Sequence, residues 1–580
     1  MTPPRTRNGR GEAVRCGIAV FLAAVLLRVI FILQYGDSPS FHVPVIDSAT
    51  YDETARMLAF QGEVTPKIFW HGFLYPLSLS AVYRIGGGSI LVARMVQAVL
   101  GGFTALLVFA LASRVFDRRT GLAAGLITGL YGPLIFFETE ILSTGLAAFL
   151  ATLSVFLALR MEKGRLPAYL AFGVVGGLAV ITRGVLFPFV AAVFLWTAFS
   201  ARSRSLPWKV IAGRESLILA GVAAVLVPAA LLSGSVSGHY SPLPRSGSIN
   251  MYIGNNPDME RTLMIRPGSE WSELLREPTL HGYTGGEGEY RRYFTDRVRE
   301  YASTHPVEFA SGLARKALMF VTSREIPRTY DIYTGAEYSS LLAALVWKAG
   351  GFGFPFGIVL VLGLYGLVAL RRRVPVPVWL YLTVYPASVI LVFPAARYRA
   401  PLIPVLAAPA AAGLVLLIRK AASGELRFER RYAAAAIALV IAMTVPGPFD
   451  VEDFDYRTEL HCCVAYRLSG EGENLAAEAE LRKALERDPD DSTANRLLGC
   501  VLHELGRQEE SIDCFERALE SDPGSYVLHY YLGVALMNSG EIERGRKHLH
   551  AASEGATRSR DHMITAQVRD VLGSGSVRED

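Results

Sequence analysis

Residues 15–34 read RCGIAVFLAAVLLRVIFILQ, twenty positions charged only at Arg15 and Arg28. At 1.5 Å per residue such a helix is about 30 Å long, the thickness of a bilayer's hydrocarbon core. The stretch reads as a membrane span. Arg5, Arg7, Arg10 and Arg15 would also suit a signal peptide, but no small-residue cleavage site follows, so it is expected to stay as an anchor.

The same signature recurs along the chain. Runs at 89–112, 120–137, 141–159, 168–182, 184–200, 215–234, 351–371, 375–393, 400–418 and 432–446 bring the expected total to about eleven spans. The 580 residues are 51% hydrophobic and 19% charged, with a mean hydropathy of +0.31. Soluble proteins carry about a quarter charged residues. The net charge of +5 is modest, and its arginines cluster at span ends, so it speaks of topology and gives no reason to expect a nucleic-acid partner.

Alternate loops are basic: Arg114, Arg118 and Arg119; Arg160, Lys163 and Arg165; Arg202, Arg204, Lys209 and Arg214; Arg371 to Arg373; and Arg419, Lys420, Arg427, Arg430 and Arg431. By the positive-inside rule these loops and the N-terminus (1–14) are cytoplasmic. The opposite face receives loop 35–88, short turns near 138–140, 183 and 394–399, the long loop 235–350, and everything after about 447. The expected location is the inner or plasma membrane, crossed many times.

Beyond 450 the composition turns charged and helical. ALERDPD (484–490) and ALESDPG (518–524) are offset by 34 residues, as are Gly472, Gly506 and Gly540, and Leu481, Phe515 and Leu549. That period, with Leu498-Gly499, Ser511, Phe515, Ala518 and Pro523 in the middle unit, is the tetratricopeptide pattern. Three repeats are expected over 458–559, with a tail at 560–580 and a role in binding a protein or peptide. The fold class is thus all-α: a polytopic membrane domain over 15–450 and an α-solenoid. Cys462, Cys463, Cys500 and Cys514 fall in the exported part, where a disulfide would persist, though buried small residues explain them equally.

Ionisable residues gather at the exported surface, where each is a functional candidate. DSATYDETA (47–55) carries Asp47, Asp52 and Glu53; FFETEILS (136–143) carries Glu138 and Glu140; VITRGVLFP (180–188) carries Arg183; FPAARYRAPLIP (393–404) carries Arg397 and Arg399. Each has a plainer explanation. Asp47 would cap a helix, with Thr50 and Glu53 spaced as a capping box. The other acids would be solvated, and the arginines would reach for lipid headgroups. His42 and His71 with Asp47 could hold a divalent metal, the one cofactor these residues suggest, although their spacing matches no ligand motif.

A carboxylate and arginines at the outer leaflet suit one chemistry well. Nucleotide donors are not supplied there, so an activated sugar must arrive on a polyprenyl phosphate. Transfer needs a base for the acceptor hydroxyl, and a carboxylate at an apolar boundary is expected to have a raised pKa fit for that task. It also needs a cationic clamp for the phosphate, which the guanidinium fork provides.

Asp47 and Tyr51, HGFLYPLSLSAVYRIGG (71–87), ARMVQAVLGG (93–102), Glu140, GGLAVITR ending at Arg183, and RYRAPLIP (397–404) resemble the membrane glycosyltransferases of GT-C fold. They are similar to the glycosyltransferase 39 type, related to protein O-mannosyltransferases and lipid A aminoarabinose transferases. Order and spacing relative to the spans carry this resemblance over roughly 15–420. NMYIGNNPD (250–258) and SREIPRTYD (323–331) look like loops of bacterial members with C-terminal tetratricopeptide repeats. The resemblance implies inverting transfer from a polyprenyl-phosphate sugar, with Asp47 as base and Glu140 near the donor or a metal. It implies Arg183, Arg397 and Arg399 on the lipid phosphate, and Tyr51, His71, Tyr75 and Tyr398 lining the substrate. Protein mannosyltransferases have an adjacent Asp-Glu pair in this loop. Here the pair is Asp52-Glu53, which leaves the base open between Asp47 and Asp52 and the acceptor open among glycan, lipid and protein.

Two other readings compete. An oligosaccharide ligase or polymerase would place arginines and a histidine in the long loop, which has His239, His281 and His305. A transporter or scaffold recruiting partners through its repeats should show paired halves with broken midplane helices, and no such halves are visible. Asn250, Asn255 and Asn256 would either contact sugar or form a turn with Gly254 and Pro257.

Overall fold

A computed structural model describes residues 7–284, 286–425, 430–444, 454–559 and 561–575. They divide into two compact units, one of Met1–Asp37 and Asp47–Asp453, the other of Ser38–Ile46 and Phe454–Asp580.

The first unit is built of apolar helices. Its first ten are α1 (Arg7–Gln34), α2 (Asp47–Arg56), α3 (Leu74–Gly86), α4 (Ile90–Val115), α5 (Arg118–Gly129), α6 (Gly132–Thr139), α7 (Thr144–Met161), α8 (Leu166–Thr182), α9 (Phe187–Ser203) and α10 (Trp208–Ser237). Among the described residues six helices are long and apolar enough to cross a membrane. The chain is a multi-pass membrane protein. Three shorter apolar helices, Leu166–Thr182, Phe356–Ala369 and Val376–Val392, fall on expected spans, as does Arg430–Thr444. Residues 445 and 446 of the last expected span lie outside the described residues.

One expectation changes. The run at 120–137 is not one rod, because α5 and α6 meet at 56°. Pro133, in the first turn of α6, has no N–H to continue a helix from α5. The break turns Glu138 and Glu140 inward. Glu138 forms a fully buried pair with Arg28 of α1, whose Nε donates at 2.8 Å. Gly101 of α4 leaves room for it, since a Cβ there would stand 2.2 Å from Arg28 Nε. Glu138 is therefore a packing device between helices and not a hydrated turn residue.

Small residues set the close crossings, as membrane packing requires. Gly173 of α8 faces Gly221 of α10, and Gly366 lies against the Pro409 carbonyl. The long loop folds into short helices around Ile249, Ile253, Phe294 and Met319. Buried Asn255 and Asn256 bond backbone there: Asn255 Nδ2 donates to Met251 O and Leu391 O, each at 2.8 Å, and Asn256 Nδ2 to Tyr252 O at 2.7 Å. Lys316 Nζ closes the same knot on Gly254 O at 2.7 Å. These asparagines build the turn. A two-stranded hairpin, Trp347–Ala349 with Phe352–Phe354, is the strand content among the described residues.

The second unit contains the repeats as helix pairs: Tyr456–Gly470 with Asn474–Arg487, Ser492–Glu504 with Gln508–Ser521, and Tyr526–Ser539 with Ile542–Arg558. Gly472, Gly506 and Gly540 turn each pair with φ of 84°, 77° and 92°, a region open to glycine. Residues expected as a tail form another helix, His562–Gly575, whose Ile564 and Val568 pack with Leu549 and Ala552. All five cysteines are free thiols.

Candidate active site

Asp47 opens α2, a polar helix lying just outside the spans. Its Oδ2 is gripped by Arg397 and accepts from Thr329 Oγ1 at 3.3 Å; its Oδ1 lies 3.3 Å from His71 Nε2. Burial alone would raise the carboxyl, but Arg397 and His71 hold it well below the usual carboxylate range. The raised value expected at an apolar boundary is thus reversed, because the boundary also carries a guanidinium. The Asp47 side chain keeps 18% of its surface exposed, so reactants can reach it.

Two arginines flank Tyr398. The guanidinium carbon of Arg183 lies 5.2 Å from its ring centroid and that of Arg397 lies 5.0 Å away. Arg183 donates to Thr144 Oγ1 at 2.7 Å and to the Arg397 carbonyl at 2.8 Å. Tyr385 OH fixes the Tyr398 carbonyl at 2.7 Å. Arg397 Nε is buried and donates to no acceptor among the described residues. A buried, unused charged donor beside a partly open carboxylate suits an incoming oxyanion.

Aromatic residues wall the other side. Tyr51 lies 5.1 Å from the His71 ring and 4.8 Å from Tyr75, and its OH donates to Ser143 at 3.2 Å. Burial pushes the Tyr51 phenol up to about 12, so it serves as a neutral donor. Tyr75 OH reaches Gln97 at 2.5 Å, and Gln97 Nε2 donates to the Glu140 carbonyl at 2.9 Å. Glu140 itself is fully buried, 3.3 Å from Arg94, with Oε1 unpaired among the described residues. It forms a layer behind the tyrosines.

The structure thus gathers Asp47, Tyr51, His71, Arg183, Arg397 and Tyr398, with Tyr75 adjoining. Three expected residues have other partners, Glu140 being held by Arg94 behind the site. Asp52 accepts Arg56 Nε on both oxygens at 2.9 Å and Tyr83 OH at 2.6 Å, which makes it a clamp between α2 and α3. Arg399 is buried and donates to Thr322 O and Arg324 O, each at 2.6 Å, and to Glu325 at 2.8 Å. It braces the 320–325 segment. Thr329 was missed as a site residue. SREIPRTYD does contain it, yet nothing in its spacing ties it to Asp47.

No group of three His, Cys, Asp or Glu suited to a metal occurs among the described residues. His42 packs against Phe41, 4.8 Å between rings. Asp47 and His71 alone make two ligands, and the arginines around them oppose a further cation. The residues do not fit a resident divalent metal.

Residues 70–228 match the family described as dolichyl-phosphate-mannose-protein mannosyltransferase, and residues 465–526 match the tetratricopeptide repeat. The chain therefore joins a membrane segment similar to that family to a repeat tail. No curated protein matches the chain. Among solved structures it is similar to the oligosaccharyltransferase of Archaeoglobus fulgidus tethered to an acceptor peptide containing the NVT sequon, at 14% identity and a TM-score of 0.40. That alignment covers 80% of this chain and 58% of the other. The same enzyme in complex with Zn and sulfate matches at 14% and 0.41, over 76% and 55%. The chain spans little more than half the length of these two.

Proposed function

We propose that this protein transfers a sugar from a polyprenyl-phosphate donor to an acceptor hydroxyl on the exported face of the membrane, with inversion at the anomeric carbon. The observation that carries the reading is a convergence: Asp47 from α2, Arg183 from the end of α8, and Arg397 from the Ala396–Arg399 turn meet around Tyr398. Arg183 and Arg397 bind the phosphate and stabilise the charge it gains as the glycosidic bond breaks. Asp47 is the base side of the reaction, partly exposed beside these arginines. Glu140 supports the tyrosine wall and Asp52 the α2–α3 contact. The N-terminus is cytoplasmic, and the repeats lie on the exported side, where they bring a protein or peptide partner.

Membranes containing the protein, supplied with radiolabelled polyprenyl-monophosphate sugars, test this reading. Label should pass to an acceptor, with anomeric configuration opposite to that of the donor. Transfer with retention, or from none of the donors, would overturn it. Deleting 455–580 should lower transfer to the partner-delivered acceptor, and full activity on every acceptor would remove the repeats from that role.

A further inference from the structure

His71 is more firmly placed than a substrate-lining residue needs to be. Gly72 seats its turn on the end of α8, since a Cβ there would lie 2.1 Å from the Thr182 carbonyl oxygen, one residue before Arg183. The ring is tilted 41° against Tyr51, and its Nε2 lies 3.3 Å from Asp47 Oδ1. An ionised carboxylate only accepts hydrogen bonds, so Nε2 carries the hydrogen that faces it, and the lone pair of a neutral imidazole is then on Nδ1. The ring makes no other hydrogen bond among the described residues. Asp47, by contrast, is engaged at both oxygens, by His71 on one side and by Arg397 and Thr329 on the other. A carboxylate already holding these donors is a weaker base.

Resting on the glycosyl-transfer reading above, we infer that the base is the Asp47–His71 pair and that the acceptor's proton ends on His71 Nδ1. The acceptor O–H bond breaks as its oxygen forms the new bond to the anomeric carbon. The bond from that carbon to the phosphate oxygen breaks, and its electron pair leaves with the polyprenyl phosphate. The proton sits on His71 as an imidazolium against Asp47, then passes to water. Asp47 lies 3.3 Å from the ring and Tyr51 5.1 Å from it, both on α2; Arg397 holds the other oxygen of Asp47, and Arg183 at the end of α8 acts on the same Tyr51. The donor phosphate adds the negative charge that accompanies imidazolium formation. Asp47 then acts by orienting the ring and stabilising its charged form, as carboxylates do for catalytic imidazoles.

The test compares wild type, His71→Gln, His71→Ala and Asp47→Asn in the labelled-donor assay, each at matched folded protein. His71→Gln keeps a donor toward Asp47 and removes the acceptor nitrogen. We expect it to lower kcat by roughly 10²–10⁴, the range of general base catalysis, with KM for the donor little changed. The acidic limb of the wild-type pH profile should vanish with it, and added imidazole should restore transfer by His71→Ala. Transfer by His71→Gln within a few-fold of wild type, a loss confined to KM, or an acidic limb that survives the substitution would overturn the proposal. If any of these occurs while Asp47→Asn is inactive, the transferase reading stands and only the proton's destination fails. If wild type transfers from no donor, the transferase reading itself fails.

Discussion

Arg183 and Arg397 share one aromatic ring: their guanidinium carbons lie 5.2 and 5.0 Å from the centroid of Tyr398. Arg183 also donates to the backbone carbonyl of Arg397 at 2.8 Å. Asp47 neutralises one of these cations, and a lipid phosphate would neutralise the other. Arg183→Ala should therefore lower kcat/KM for the lipid-phosphate donor by roughly 10²–10³, as losing one transition-state donor does elsewhere. Arg183→Lys should regain only part, because an ammonium lacks the planar fork. Kinetics at varied donor concentration check this, and an Arg183→Ala enzyme with unchanged kinetics would dismiss the clamp.

Asp52 should matter for folding more than for chemistry. Asp52→Asn weakens the bonds from Arg56 and Tyr83. Hydrogen bonds to a charged group contribute about 1.5–3 kcal/mol, so the thermal midpoint in detergent should fall. Transfer per folded molecule should stay within a few-fold of wild type. A fully stable but inactive variant would reinstate Asp52 as a catalytic residue.

Arg399 and Glu325 form a buried pair with side chains 1% and 2% exposed. Removing one partner strands the other charge, at a cost of about 3–5 kcal/mol. Arg399→Ala should thus yield little folded protein. Rescue of its yield by the double substitution with Glu325→Gln, measured by size-exclusion profile, would support the pairing, and a well-folded Arg399→Ala with a raised donor KM would contradict it.

These assignments show what the sequence could and could not disclose. Hydropathy found the spans because a 30 Å apolar core leaves few alternatives, and the 34-residue period found the repeats because each unit must bury its face on the next. Arg183, Arg397 and Arg399 stood out in the sequence because they break the positive-inside pattern at one surface, and Asp47 because it lies just beyond the first span. Asp47 and Asp52 were not separable from an apolar count, yet helix geometry separates them: five residues on a helix turn about 140°, so one cannot face the site if the other does. Arg397 and Arg399 are two residues apart, and one takes Asp47 while the other takes Glu325. Thr329 was hidden, since it reaches Asp47 across 282 residues of chain. The lowered Asp47 carboxyl was hidden as well, since its counter-ion Arg397 lies 350 residues along the chain.

The lowered Asp47 carboxyl makes a pH prediction. Its folded value lies below the unfolded value of about 3.9. Its contribution to stability is therefore full above that pH and lost as pH falls through the lower folded value. The gap in thermal midpoint between wild type and Asp47→Asn should be widest near neutrality and shrink below about pH 4. A gap that persists unchanged down the acid range would show that Asp47 stabilises the fold without its charge.

The central claim is most directly tested by Asp47→Asn in membranes supplied with radiolabelled polyprenyl-phosphate sugars. The substitution keeps size and most hydrogen bonding while removing the carboxylate. The account predicts label on an acceptor with wild type and essentially none with Asp47→Asn at equal protein. Equal transfer by the two would contradict it, return Asp47 to the role of a helix-opening residue, and move the search for the base to Asp52 or Glu140.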